Sequence, residues 1–484
     1  MREQPTPKAD LLAALPPEWP RDPFPEIQQQ VRTSGHKVAV LDDDPTGTQT
    51  VHGVWVVTQW TREALRPAMG GESPLFYVLT NARSLPRQEA VALNREIAAQ
   101  LAAAAQEAGR ELSVVSRSDS TLRGHYPAEI DALRETLEPR LGRAYDGTLV
   151  CPFFVEGGRL TAHDVHWVAE GETLVPAAQT EYARDATFGY TQSNLRKWVE
   201  EKTAGRVPAA DVVSISLDTI RREGPQGVRR ALAQVTGGRT AVVNAVSYRD
   251  LAVFVAGLLQ AEAAGQRFLF RTAASFVKLR GGISDRGLLG AGEMLGAAPV
   301  SGAAAGALIV AGSYVDKTTR QLAAARQLPD LCPIELSVRR VLDRQARQPE
   351  IERVRTETER ALRAGQDALV YTSRERVTER GRAGDLDVGQ AVSTALVEVV
   401  QRVGLVPRYV IAKGGITSSD VATRALGVQR AWVLGQILPG VPVWRLGADS
   451  RFPGRPYVVF PGNVGTDTSL AEAIAILRGR QRSA

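Results

Sequence analysis

Cysteine is scarce. Cys151 and Cys332 stand far apart and are the chain's two cysteines. That excludes a disulfide framework, and no Cys/His spacing suits structural zinc, so both read as reduced core thiols. Long apolar runs are missing too: nothing approaches the roughly 18 residues of a membrane-crossing helix. Residues 1–20 lack the basic-then-apolar order of a secretion signal. The expectation is a cytoplasmic protein with no membrane partner. There is no Walker ending in Gly-Lys-Ser or Gly-Lys-Thr and no protein-kinase motif set. Nucleic-acid binding has neither a motif nor an aromatic–basic stripe behind it. Gly290-Ala291-Gly292 with Gly296 has the wrong last spacing for a dinucleotide loop and follows no good strand. The net charge of +6 suits anionic ligands, yet arginine is scattered along helices rather than gathered in runs.

What is present is ordinary globular material, 44% hydrophobic and 23% charged. At 484 residues two domains are the default. Apolar runs alternate with amphipathic stretches throughout, which predicts two α/β domains with mostly parallel sheets and a cleft between them. The expected layout is a surface arm at 1–35, an α/β domain at 36–285, a Gly/Ala-rich linker at 286–304 and a second α/β domain at 305–484.

One stretch is hard to explain as packing. The strand Val38–Leu41 runs into Asp42-Asp43-Asp44-Pro45-Thr46-Gly47. Adjacent carboxylates beside an apolar sheet repel one another and lose hydration. A polar turn explains one or two of these acids, not the cluster. Ligands of open α/β sheets sit at such strand ends, so Asp43, Asp44 and the Thr46 hydroxyl are candidates. A second polar loop follows the strand Leu112–Val115: Asp119-Ser120-Thr121-Leu122-Arg123-Gly124-His125. Asp119, Ser120 and Thr121 can exchange hydrogen bonds with a ligand, and Arg123 can clamp a carboxylate. Ser and Thr here are also expected to cap a helix at 126–137. His163 and His166 have no third or fourth ligand nearby and read as the surface of a β-hairpin, with a turn at Glu170-Gly171.

The C-terminal half uses one device three times: a strand, a Gly/Ser/Thr loop, then a helix. The loops are Gly312-Ser313, Gly414-Gly415-Ile416-Thr417 and Gly462-Asn463-Val464-Gly465. Glycine admits close approach of an anion, and helix N-termini and hydroxyls add donors. Carboxylates in one domain and phosphate loops in the other suit a small-molecule kinase. A dehydrogenase ranks last, because no ribose-binding acid follows a proper fingerprint.

These pieces, with Gly158-Arg159 and Arg184-Asp185, stand in an order that resembles the four-carbon acid sugar kinase family. The resemblance runs from about Val38 to the C-terminus, and Asp119–Gly124 is its most specific part. It implies ATP-dependent phosphorylation of the terminal hydroxyl of threonate, erythronate or 3-oxo-tetronate, with Mg²⁺. It implies nucleotide contacts at Ser313, Gly414–Thr417 and Gly462, and an acceptor near Asp43, Asp44, Asp119 and Arg123. Which aspartate is the base, and the metal ligands, stay open, as does homo-oligomerisation. Pro45, His125, 48–52 and 153–156 depart from the family's common form at the acceptor end. They leave a catalytically silent nucleotide sensor as the alternative.

Overall fold

The computed structural model describes residues 3–296, 306–374 and 382–480. The chain divides into two compact units. One is Met1–Gly47 with Gln59–Asp285; the other is Thr48–Thr58 with Arg286–Ala484.

The first unit is built on a parallel sheet. Its strands lie in the order Val213–Ile215, Arg239–Val243, Gly147–Cys151, Phe268–Thr272, Leu112–Arg117, Lys37–Asp42, Leu75–Leu79. All six residues of Lys37–Asp42 are buried, as expected of a strand covered on both faces. From that strand the chain passes to Leu75–Leu79 on one side. It returns through the helix Arg87–Ala108 to Leu112–Arg117 on the other. This reversal is a topological switch point, and it sets the two polar loops side by side. A separate antiparallel sheet holds Arg159–Ala162, Val165–Glu170, Thr173–Pro176 and Thr6–Pro7.

The second unit has a parallel set in the order Leu331–Leu336, Asp367–Thr372, Leu308–Ala311, Val410–Lys413, Pro456–Phe460. Val441–Leu446, Arg430–Leu438 and Val54–Val57 extend it antiparallel. Its switch point lies between Leu308–Ala311 and Val410–Lys413, so two of the glycine loops are neighbours.

Several expectations change. Val54–Val57, expected in the first domain, pairs with Arg430–Val433. Trp55 meets Trp432 edge-on at 4.9 Å, and the Trp444 indole donates to Thr48 Oγ1 at 3.0 Å. The 1–35 arm is largely docked: the helix Phe24–Ser34 buries Ile27 and Val31 and packs on Tyr248–Ala263. In the 286–304 stretch, Ala291–Leu295 is helical, and Leu289 and Met294 join the second unit's core. Residues 297–304 of that stretch lie outside the described residues. The expected Ser/Thr helix cap is absent: the helix is Ala128–Leu141 and starts after Pro127 with no side-chain cap bond.

Candidate active site

The acid corner of the first unit is organised by arginine. Strand register places Arg117 opposite Asp42, and its Nη1 lies 3.1 Å from Asp42 Oδ1 and 3.8 Å from Asp43 Oδ1. Arg83, in the turn after Leu75–Leu79, reaches three carboxylates. Its Nη2 meets Asp44 Oδ2 at 2.5 Å, its Nη1 meets Asp119 Oδ1 at 3.3 Å, and its Nε lies 3.9 Å from Asp43 Oδ2. Sequence reasoning missed Arg83; the available signal was a lone arginine at the end of a strand beside the acidic one.

The aspartates are not equivalent. Asp44 accepts from Thr46 N at 2.9 Å and from Thr46 Oγ1 at 2.5 Å. Burial opposes its charge, but Arg83 and the Thr46 bonds outweigh that and hold Asp44 below the usual carboxylate range. Asp43 is different. Both its oxygens are buried, and among the described residues neither accepts a hydrogen bond. Burial pushes its pKa up, against the pull of Arg83 and Arg117. Burial also pushes Asp42 up to about 8 against Arg117. Asp119 is held low: burial is outweighed by Arg83, Arg123 and the Thr121 hydroxyl. Thus Thr46 and Thr121, expected to face a ligand, spend their hydroxyls on Asp44 and Asp119.

Gly47 is required by a close approach. A Cβ there would lie 2.1 Å from Asp42 Oδ2. Gly47→Ala is therefore expected to destabilise the protein by about 1–3 kcal/mol, the usual cost of overpacking, as read from urea unfolding.

The second loop is held from beneath. Arg271 is 1% exposed and donates through Nη2 to the Asp119 and Arg123 carbonyls, each at 3.0 Å. His166 Nε2 meets Ser120 O at 2.7 Å, and Tyr190 Oη donates to Thr121 O at 2.8 Å. His166 is on the hairpin but fully buried rather than at its surface as expected; burial pushes it down to about 4, so it stays neutral and braces the loop. His125 Nε2 lies 3.1 Å from Ala82 O and 3.0 Å from Leu85 O, which fixes the turn carrying Arg83. Arg123 Nε is bonded to Asp119 Oδ2 at 2.8 Å, and its Nη1 faces Asp185 Oδ2 at 3.7 Å.

In the second unit the glycine turns converge on Ser313. A Cβ on Gly414 would lie 3.0 Å from Ser313 Cβ, and one on Gly462 would lie 3.2 Å from Ser313 Oγ. A Cβ on Gly312 would lie 2.5 Å from Thr417 Oγ1. Ser313, Gly414, Thr417 and Gly462 thus form one corner, with Gly415 next to it and Ile416 67% exposed at its rim. Asn463 is exposed, and Gly465 accepts from Lys317 Nζ at 3.0 Å. Lys413, which sequence reasoning passed over, donates to Pro461 O at 2.6 Å and Gly462 O at 3.0 Å, bracing the last turn. Burial first, then Lys317, pushes Lys413 down to about 7. Arg374 holds Ser313 O at 2.6 Å. This donor set of hydroxyls, amides and cations suits phosphate. Among the described residues no three or more His, Cys, Asp or Glu side chains are grouped to hold a metal ion. The described helices include none long and apolar enough to cross a membrane.

Comparison with known proteins covers both units. Residues 38–280 match the family model of a sugar-binding N-terminal domain, and residues 308–470 that of a nucleotide-binding C-terminal domain. A 3-oxo-tetronate kinase of Pseudomonas savastanoi pv. phaseolicola (strain 1448A / Race 6) is 28% identical over 424 residues, spanning 85% of this chain and 89% of that protein. The fold is shared with a crystal structure from Salmonella typhimurium LT2 (TM-score 0.66, 19% identity, 90% of this chain and 98% of that one). It is also shared with a Haemophilus influenzae protein of the DUF1537 family (TM-score 0.61, 19% identity, 91% and 100%). With a sugar-binding model on one unit and a nucleotide-binding model on the other, this chain belongs to the four-carbon acid sugar kinase family.

Proposed function

We propose that this chain transfers the γ-phosphoryl group of ATP to the terminal hydroxyl of a four-carbon sugar acid of threonate, erythronate or 3-oxo-tetronate type. The reading is carried by Asp43, a buried carboxylate at the sheet's switch point with no hydrogen bond on either oxygen among the described residues. Leaving such a group unsatisfied is costly unless a ligand completes it. The acceptor hydroxyl donates to Asp43, which takes its proton as the new O–P bond forms. Asp44, tied to Arg83 and Thr46, is the fixed neighbour that keeps the guanidinium in place. Asp119, Ser120, Thr121 and Arg123 frame the acceptor. Ser313, Gly414, Gly415, Ile416, Thr417 and Gly462 take the nucleotide, with Asn463 and Gly465 completing the last turn. Mg²⁺ would arrive as the complex with ATP at the Ser313, Gly414 and Gly462 corner. It would neutralise phosphate charge there. We place the reaction in the cytoplasm, where ATP is plentiful.

The test is ADP release across a panel of C4 and C5 aldonic and keto acids. Release with one or a few C4 acids is expected. ATP binding without release for any acid would favour the silent sensor. The pH profile adds a sharper expectation. Asp43 works as the carboxylate, and burial raises its pKa above the ordinary value of about 3.9. kcat/KM should therefore fall as pH drops through a limb lying above the usual carboxylate range. That limb belongs to the coupled Asp42–Asp43 pair.

A further inference from the structure

We infer that the carboxylate of the acceptor is read by Arg159, presented on the face of Tyr182, rather than by Arg123. The inference rests on the acceptor reading above and names the residue that gives it acid specificity. A sugar acid brings one negative charge to a unit whose site already holds four aspartates, so it needs a cation not yet spent. Most of the cations that meet the loops already serve carboxylates. Arg83 serves Asp43, Asp44 and Asp119, and Arg117 serves Asp42 and Asp43. Arg123 is bonded to Asp119 and faces Asp185. Arg271 gives Nη2 to two carbonyls and, although its Nε and Nη1 have no partner among the described residues, it is 1% exposed beneath the loop and out of a ligand's reach; Lys278 is paired with Asp285.

Arg159 has no carboxylate within ion-pair distance among the described residues, and its buried Nε has no hydrogen-bond partner. Its guanidinium lies 5.6 Å from the Tyr182 ring centroid, and that of Arg123 lies 5.2 Å from the same centroid. One ring therefore places the uncommitted cation beside the Asp119–Gly124 loop. The pose is fixed locally. Nη2 reaches Tyr182 Oη at 3.4 Å, and Nη1 donates to the Gly157 carbonyl. A Cβ on Gly157 would stand 2.7 Å from that Nη1 and 2.5 Å from the Phe154 ring, so glycine there leaves room for the guanidinium. A planar guanidinium with no carboxylate partner suits recognition of a ligand carboxylate.

The test is calorimetric binding to the full chain of D-erythronate and L-threonate, each as the free acid and as the neutral amide. The parent should prefer at least one acid over its amide. Arg159→Gln should weaken that acid about ten- to hundred-fold and erase the preference, with ATP affinity unchanged. Arg159→Lys should recover part of it, because charge returns without the fork. If Arg159→Gln does not fold, Gly157→Ala carries the test, and it should weaken the acid but not the amide. The inference is overturned if the preference survives in Arg159→Gln, or in Gly157→Ala where that variant stands in. It is also overturned if the parent binds neither acid better than its amide. Binding needs no turnover, so failure of the kinase reading shows separately, as absence of ADP release.

Discussion

Asp43→Asn is expected to lower kcat by about 10²–10⁴-fold, the range for loss of a general base, with the protein still folded. The stability side makes this a distinctive result. Burial raises the pKa of Asp43 in the folded state. A carboxyl with a raised folded pKa holds its proton more tightly when folded, so its charge opposes folding at neutral pH. The amide removes that charge. Arg83 keeps Asp44 and Asp119, and Arg117 keeps Asp42. Calorimetric melting should therefore place the Asp43→Asn midpoint at or above that of the parent. Asp44→Asn should behave in the opposite way. Asp44 is held below the usual range, so its stabilising contribution is present above the unfolded carboxylate pKa and is lost as pH falls through the folded one. Losing its bond with Arg83 should lower the melting point at neutral pH. Near-normal turnover in both variants would remove either aspartate as the base.

Gly414→Val is expected to raise the KM for ATP at least about ten-fold, roughly 1.4 kcal/mol of binding, and to abolish thermal stabilisation by ATP. Acid binding should be unchanged. Two independent features converge on this residue. Its φ of +116° is one that L side chains rarely adopt. A Cβ would also press on Ser313 Cβ at 3.0 Å and Thr417 Oγ1 at 3.3 Å. The substitution therefore distorts the corner where three glycine turns meet, and no adjustment of a single side chain relieves it. An ATP-dependent melting shift equal to that of the parent would count against this corner as the nucleotide site.

Much of the fold was legible because its strands are short apolar runs buried on both faces. Val38–Leu41 and Leu308–Val310 announce themselves without periodicity. The acid cluster was legible for the same reason, since charge at the end of such a run has no packing explanation. Arg430–Leu438 was not. Its burial alternates, and Gly435 and Gln436 interrupt the apolar pattern near its register shifts. The excursion of Thr48–Thr58 into the second unit was also invisible, because local sequence does not state which sheet a strand joins. Arg83, Arg159 and Arg271 were passed over as roles for a similar reason. Each is one arginine among many in the sequence. Only tertiary structure shows that Arg83 meets three carboxylates, Arg271 two carbonyls, and Arg159 no carboxylate among the described residues.

The most direct measurement is to follow ATP isotopically labelled in its γ-phosphoryl oxygens, incubated with the chain and the C4 acid that releases ADP fastest. Mass spectrometry with tandem fragmentation should find the label on a phosphorylated acid, located at its terminal oxygen, in step with ADP. Label found solely in inorganic phosphate, with the acid unmodified, would contradict phosphoryl transfer to a sugar acid.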